Sequence, residues 1–176
     1  MRTPLIADLT RQVINALSQA GWSFSLVKEH VLEAGFEGHH SRYQVHVQTF
    51  PEIGAVSAVA EGSQSFPVNK RPALAELILR TNQQLTVGNF ELLWDQGLPL
   101  FRATNLFPAH GPFDPAILTS LVHTSVTEMD RLAPYLTVLA QTPAERLHAL
   151  SVKGLLQRED LLPDWVKVED PETRSS

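Results

Sequence analysis

The sequence predicts an α+β domain whose helices pack against one face of a five-stranded antiparallel sheet. Three observations lead to this fold class. Apolar residues recur at helical spacing in three separate stretches, they alternate with polar residues in the stretches between, and turn residues separate consecutive strands. The predicted order is a helix, a three-strand antiparallel meander, a helix, a two-strand hairpin and a long helix. Strands grouped between helices are typical of the α+β class.

The N-terminal part of the chain is predicted to be an amphipathic helix. Thr3 and Pro4 are typical of a helix start, and Gly21 is the expected end. The apolar residues that recur at helical spacing are Leu5, Ile6, Leu9, Val13, Ile14 and Leu17.

The meander is predicted from three stretches of β-like sequence. The first runs from Trp22 toward Leu32, and the glycine-containing stretch after it is expected to be a loop. The sequence RYQVHVQTF alternates between apolar and polar residues, which predicts a half-buried strand. After Pro51, the sequence IGAVSAVAEG predicts a third strand of small residues. Short connections between these strands predict antiparallel pairing.

A helix and a hairpin are expected next. Asn69 is the predicted N-cap, Pro72 fits the first helical turn, and the helix is expected to end before Gly88. An alternating strand then leads into a turn at Asp95–Gly97, and the return strand is expected to end near Leu106.

The last long helix is predicted to begin at the Asp114-Pro115 pair, with the aspartate as N-cap. Pro134 predicts a kink or a break in this helix, because proline removes a backbone hydrogen bond. A short helix and an acidic tail are expected after it. We therefore predict one α+β domain over residues 1–141 and a C-terminal extension over residues 142–176.

Composition argues against several classes of protein. The 176 residues include no cysteine, which excludes disulfides, thiol catalysis and thiolate metal sites. A net charge of −5 disfavours nucleic-acid binding, which depends on Lys and Arg contacts with phosphates. No run approaches the roughly 20 apolar residues of a membrane helix, and the N-terminus lacks the apolar core of a signal peptide. A cytoplasmic protein without nucleic-acid or membrane partners is expected.

No set of residues predicts catalysis, a cofactor or a metal site. His39 and His40 are adjacent, but adjacent residues point apart on a strand, and no carboxylates stand around them at metal-ligand spacing. The chain has neither the Gly-x-Ser-x-Gly elbow of a hydrolase nor a glycine-rich phosphate loop. Trp22 and Trp94 are expected to pack in the core from the faces of strands. The chain is therefore expected not to be an enzyme.

The predicted hairpin and its flanks contain the most specific residues of the chain. Asn82 can bond the free carbonyls of a helix end, and Gly88 can supply a left-handed backbone conformation. Asn89 can close a turn, and Glu91 and Arg102 can pair across the two strands. These properties favour a structural role, because turn chemistry and strand register are enough to require such residues.

The same stretch, RTNQQLTVGNFELLWDQGLPLFRAT, resembles the central signature of the YbjN family, which is related in fold to the type III secretion chaperones. The signature has an Arg-x-Asn at a helix end, a Gly-Asn-Phe-Glu entry to a strand, an Asp–Gly turn and an arginine on the return strand. Its residues here are Arg80, Asn82, Gly88, Asn89, Phe90, Glu91 and Arg102. The stretches FPVNKRPALAELI and SLVHTSVTEMDRLAPYL also resemble the family, so the resemblance covers about residues 3–140.

The resemblance implies a type III secretion chaperone-like fold and a regulatory or chaperone-like role. Members of the YbjN family are described as sensory transduction regulators, and relatives of the fold are acidic homodimers that hold an unfolded stretch of a client protein. The chain is therefore expected to be a homodimer that binds an unidentified client or regulatory protein. The dimer is expected to use the helix Pro72–Leu85 or the sheet face that the helices leave open.

Three alternatives remain open from the sequence. Arg80, Asn82 and Arg102 could form a polar surface for a partner instead of building the fold. The chain could be a small-molecule or metal-responsive sensor, with a pocket between the sheet and the final helix. Trp165, in the apolar sequence LLPDWV of the tail, is a candidate for docking on the domain or on a partner.

Overall fold

A computed structural model describes residues 5–107 and 113–162, which form a six-stranded sheet and four α-helices. The strands are β1 (Ser25–Lys28), β2 (Val31–Glu37), β3 (Arg42–Phe50), β4 (Ala55–Glu61), β5 (Asn89–Leu93) and β6 (Leu98–Leu106). The helices are α1 (Leu5–Gln19), α2 (Arg71–Asn82), α3 (Pro115–Gln141) and α4 (Val152–Leu156). Short 3₁₀ turns are found at Val68–Lys70, Ala144–Ala149 and Glu159–Leu161. All neighbouring strands are antiparallel, in the order β1-β2-β3-β4-β6-β5.

The predicted α+β class is confirmed, but the predicted number of strands was wrong. The stretch from Trp22 to Glu37 contains two strands, where one strand and a loop were expected. β2 pairs with β3 along its whole length, from Val31 opposite Gln48 to Glu37 opposite Arg42. Apolar residues alternate on the core side of β2, and this burial outweighs the low strand preference of the glycine between them.

The helices cover one face of the sheet. The inward residues of β3 and β4 belong to a single core cluster that also includes residues of α1, α2 and α3. Those inward residues are Tyr43, Val45, Val47, Val56, Ala58 and Ala60. The outward residues Arg42 and Gln44 are exposed, and the described helices leave this face open. One apolar face and one polar face are typical of an antiparallel sheet in a layered α+β fold.

Two local expectations, those for Asn69 and Trp94, were wrong. Asn69 makes no capping bond, since α2 begins after the turn Val68–Lys70. Trp94 lies 51% exposed in the hairpin turn, whereas Trp22, which precedes β1, packs against the core and edge-on against Phe36. α3 runs through Pro134 without a break, because buried leucines on both sides hold it against the core. The aspartate cap of α3 is present, as Asp114 accepts from the Ala116 N–H at 2.9 Å.

The chain beyond α3 packs back onto the domain. Val152 and Leu155 of α4 are buried in the same core cluster as the sheet. Lys70 Nζ, at the start of α2, donates a hydrogen bond to the Ala140 carbonyl near the end of α3. Residues up to Leu162 are therefore part of the packed structure, whereas the docking candidate Trp165 lies outside the described residues.

The helices of the described ranges are unsuited to crossing a lipid bilayer. None of them combines the length and the apolar composition that a membrane span requires.

Candidate functional site

The side chain of Asn82 joins the end of α2 to strand β5. Its Nδ2 donates to the Phe90 carbonyl at 2.9 Å, and its Oδ1 accepts from the Phe90 N–H at 2.8 Å. Asn82 was expected to bond the free carbonyls of its own helix end, but these two bonds join it to the backbone of Phe90. A side-chain amide has the donor and acceptor of a peptide group, so Asn82 pairs with the outer edge of β5 as a neighbouring strand would.

Gly88 allows the chain to enter β5 next to the core. Its φ is +74°, and a Cβ atom there would lie 2.5 Å from the ring of Phe101 and 2.7 Å from the Arg102 carbonyl. The ring of Phe101 packs edge-on against Phe90, with centroids 4.9 Å apart. Any other residue would therefore combine an unfavourable backbone conformation with a steric overlap.

Glu91 and Arg102 form a two-bond ion pair on the open face of the sheet. Arg102 Nε lies 2.8 Å from Glu91 Oε1, and Nη2 lies 3.1 Å from Oε2. The hydrogen bonds from Arg102 lower the pKa of Glu91 below its ordinary value, against the effect of partial burial. Asn89 donates to the same carboxylate at 3.3 Å, and Arg102 Nη1 reaches Ser57 at 3.4 Å. The pair fixes the register of the hairpin and joins it to β4.

The three polar residues proposed as a partner surface do not come together in the structure. Arg80 pairs with Glu76 one turn earlier on α2, at 2.7 Å. Asn82 is bonded to β5, and Arg102 is bonded to Glu91 on the sheet. Each side chain thus has its own intramolecular partner.

Asp130 accepts hydrogen bonds from three other residues, a role that was not predicted from the sequence. Asp130 lies on α3 and is 4% exposed. Its Oδ1 accepts from the His40 N–H at 2.8 Å and from the Tyr43 hydroxyl at 2.9 Å. Its Oδ2 accepts from the His39 N–H at 2.9 Å and lies 3.3 Å from His40 Nδ1. We call Asp130, His39, His40 and Tyr43 the Asp130 cluster.

The Asp130 cluster perturbs the titration of both acidic groups in it. Burial alone would raise the pKa of Asp130, but the hydrogen bonds from His40, Tyr43 and His39 outweigh it and hold this pKa below its ordinary value. Burial raises the pKa of the Tyr43 hydroxyl, and its hydrogen bond to Asp130 adds to that effect. The carboxylate is therefore ionised and fully bonded at neutral pH.

One feature of the sequence points to the Asp130 cluster. Asp130 follows Met129 within the apolar stripe of α3, where an unpaired charge would be costly. Gly38 also fits the contact, because a Cβ atom there would lie 2.5 Å from Asp130 Oδ1. The partners are about 90 positions earlier in the chain, so no local sequence pattern could identify them.

Histidines of the meander have contacts within the chain. His39 and His40 place their backbone N–H groups on Asp130, and their rings contact each other edge-on. His46 stands between two carboxylates on the open sheet face, 3.0 Å from Glu33 and 3.3 Å from Glu61. No group of three or more possible ligands within residues 5–107 and 113–162 has a geometry that could hold a metal ion.

Two cavities lie beside α3. The first, of about 80 Å³, is lined by Thr81, Gln84, Phe90, Glu128, Arg131, Leu132, Tyr135, Leu156 and Leu162. Arg131 and Glu128 form an ion pair of 2.6 Å at its wall, and burial raises the pKa of Tyr135. The second cavity, of about 340 Å³, is open to solvent and is lined by Val87, Ala116, Ile117, Ser120, Leu121 and Thr124.

The fold and these contacts define a small α+β domain whose polar signature residues hold its elements together. A family model, YbjN, described as "Putative bacterial sensory transduction regulator", matches residues 11–137, and the chain belongs to the YbjN family. The matched range contains the hairpin signature and the Asp130 cluster, whereas α4 lies beyond it. No curated protein matches the chain significantly.

We predict that two signature residues only two positions apart differ in their effect on stability. Asn82→Ala removes both side-chain bonds from Asn82 to the backbone of buried Phe90 and leaves the Phe90 C=O with only a 3.5 Å contact from the Asn89 amide, which should lower the free energy of unfolding by about 1–3 kcal/mol. Arg80→Ala removes only an exposed pair within one helix, worth about 0.3–0.5 kcal/mol. Urea unfolding of both variants measures the difference, and equal losses would contradict the role given to Asn82.

We predict that Asp130→Asn lowers the free energy of unfolding at pH 7 by about 1–3 kcal/mol, because one amide cannot accept all the bonds of a carboxylate. The folded pKa of Asp130 lies below its unfolded value. Its stabilisation is therefore complete above the unfolded pKa, of about 3.9, and is lost as the pH falls toward the folded pKa.

Urea unfolding between pH 7 and pH 3 tests this pH dependence. The difference in the free energy of unfolding between wild type and Asp130→Asn should become smaller below about pH 4. Glu37→Gln, at an exposed carboxylate on β2, is the control and should change stability by less than about 0.5 kcal/mol. A difference that stays constant from pH 7 to pH 3 would refute the stabilising role of the ionised Asp130 carboxylate.

Proposed function

We propose that the chain is a non-enzymatic regulatory protein that binds a protein partner and acts as a homodimer. One observation carries the proposal: polar signature residues have partners within the chain, while several large apolar side chains are exposed. The description of its family as a regulator supports the same role. Exposed apolar surface, and not a set of reactive groups, is therefore the feature available for recognition.

The exposed apolar residues include a group near the hairpin turn. The Phe66 N–H donates to the Gly97 carbonyl at 2.8 Å, which places the turn beside the start of α2. Trp94 lies in this turn, and Val68 follows Phe66 by two residues; both are exposed. Aromatic and aliphatic side chains of this kind are the usual anchors of protein interfaces.

The outer face of α2 is the better of the two expected dimer surfaces. Leu79 projects from this face and is 65% exposed. The open sheet face instead bears charged and amide side chains, among them the Glu91–Arg102 pair and His46 with its two carboxylates. Dimer interfaces are depleted of charge at their centre. α2 bears one exposed ion pair, Glu76–Arg80, and the sheet face bears several charged groups, so the charge distribution favours α2.

We predict that wild-type protein has twice the monomer mass of 19.5 kDa in light scattering, and that Leu79→Asp weakens the dimer at least about tenfold. The control is Leu106→Asp, which places the same charge at an equally exposed leucine, 67% against 65%, at the end of β6 on the open sheet face. It should leave the dimer intact.

The two variants separate the possible failures. A wild-type protein that stays monomeric at high concentration would refute the homodimer. Dissociation by Leu106→Asp but not by Leu79→Asp would place the interface on the open sheet face. Neither result would affect the roles of Asn82 and Asp130.

A second candidate function is a small-molecule sensor, favoured by the cavity of about 80 Å³ between β5, α2, α3 and the C-terminal segment. Its lining combines apolar side chains with the Glu128–Arg131 pair and the Tyr135 hydroxyl. Such a lining suits a small molecule with an apolar body and one polar group.

The sensor function predicts that some member of a panel of small organic acids and alcohols raises the melting temperature, since a ligand of the native state stabilises it. Leu156→Phe enlarges a side chain at the cavity wall and should abolish that shift. If no compound stabilises the wild type, or if Leu156→Phe responds equally, the cavity is not the site.

A further inference from the structure

The two cavities follow each other along one side of α3. Outside α3, Val87 lines the open cavity, and Thr81 and Gln84 line the first cavity. The residues that α3 contributes in turn are Ile117, Leu121, Thr124, Glu128, Leu132 and Tyr135. Steps of three or four residues keep these side chains on one face of a helix. We call the two cavities together the α3 groove.

One half of the α3 groove is covered by the chain's own C-terminal segment. Leu156 and Leu162 line the first cavity, and Val152 and Leu155 beside them are buried in the core. This half therefore already accepts apolar side chains from residues that follow α3.

The other half of the α3 groove is open to solvent. Among the described residues, its lining consists of aliphatic side chains and the hydroxyls of Ser120 and Thr124, none of which is ionisable. Val87 at its edge is 54% exposed. Covering this half with an apolar side chain would remove hydrophobic surface from water without the burial of a charge.

Enough chain follows Leu162 to reach the open half. Leu162, the last described residue, lines the first cavity, and the sequence continues Pro-Asp-Trp-Val. Glu128 of the first cavity and Thr124 of the open cavity are four residues apart on α3, a distance of about 6 Å. Three extended residues span about 10 Å, so the segment from Leu162 to Trp165 is longer than the step between the two cavities.

We propose that Trp165, together with Val166, docks in the open half of the α3 groove of its own chain. Residues 163–176 lie outside the described part of the chain; their sequence and the position of Leu162 support this docking. A tryptophan gains more from apolar burial than almost any other side chain, and its indole N–H can bond a groove hydroxyl. The proposal is independent of the proposed regulatory function and of the dimer.

Nuclear magnetic resonance of the full-length protein tests the proposal, because the chain has only three tryptophans. Trp165→Phe identifies the indole N–H signal of Trp165. In the wild type we expect this signal away from the free-indole position, with hydrogen exchange slowed at least about tenfold. Thr124→Glu, which places a charge in the groove, should return it to the free position.

Thr137→Glu is the matched control, since Thr137 is an exposed threonine of the same helix that lines neither cavity. It should leave the Trp165 signal unchanged. A free Trp165 signal in the wild type would overturn the proposal. So would a shifted signal that Thr124→Glu does not move, which places Trp165 elsewhere. A signal that changes with protein concentration would assign the groove to a second copy, and would also overturn it.

Discussion

The buried carboxylate of Asp130 is the interaction on which the arrangement of sheet and helices depends. α3 covers the centre of the sheet, and Asp130 fixes this helix to the loop between β2 and β3 through two backbone N–H groups and the Tyr43 hydroxyl. A buried carboxylate is tolerated only when its oxygens are bonded, so helix and loop can pack in few other ways. The cluster therefore sets the position of α3 as well as stabilising it.

Asn82 supplies hydrogen bonds to the backbone at the edge of the sheet. β5 is an edge strand, and on its outer side the Asn82 amide bonds the N–H and C=O of Phe90, whose C=O otherwise has only a 3.5 Å contact from Asn89. Asn82 thus supplies the hydrogen bonds that a neighbouring strand would provide, and Asp130 supplies bonds to two N–H groups of a loop. Among the described residues, no buried side-chain polar atom lacks a partner. Because these polar side chains bond other parts of the same chain, the exposed apolar side chains are the groups that remain for binding a partner.

Patterns among neighbouring residues were enough to predict some helices and strands. The alternation of RYQVHVQTF gave the bounds of β3, Arg42–Phe50, and the Asp114-Pro115 pair gave the start of α3. β2 was not predicted as a separate strand, because Gly35 and Gly38 were interpreted as a loop, although Gly35 pairs with Gln44 of β3 within β2. The Glu91–Arg102 pair could be anticipated from the hairpin turn, which brings the two residues close on one face. They are diagonal neighbours, since Glu91 faces Leu100 and Arg102 faces Asn89.

The remaining contacts could not be predicted because they join distant parts of the chain. Asn82 reaches Phe90 only after α2 packs beside β5, and Asp130 reaches His40 only after α3 crosses the sheet. The α3 groove likewise depends on α2, α3 and the C-terminal segment together. Packing of this kind is decided by tertiary contacts, which no local propensity contains.

Amide hydrogen exchange at His39, His40 and Phe90 tests the central claim most directly. These three N–H groups donate to side chains of helices, and two of them lie in a surface loop. The account predicts protection comparable to that of paired amides in β3, because each exchanges only when a helix separates from the sheet. Exchange of His39 and His40 at the rate of an open loop would contradict the claim that Asp130 fixes α3 to the sheet.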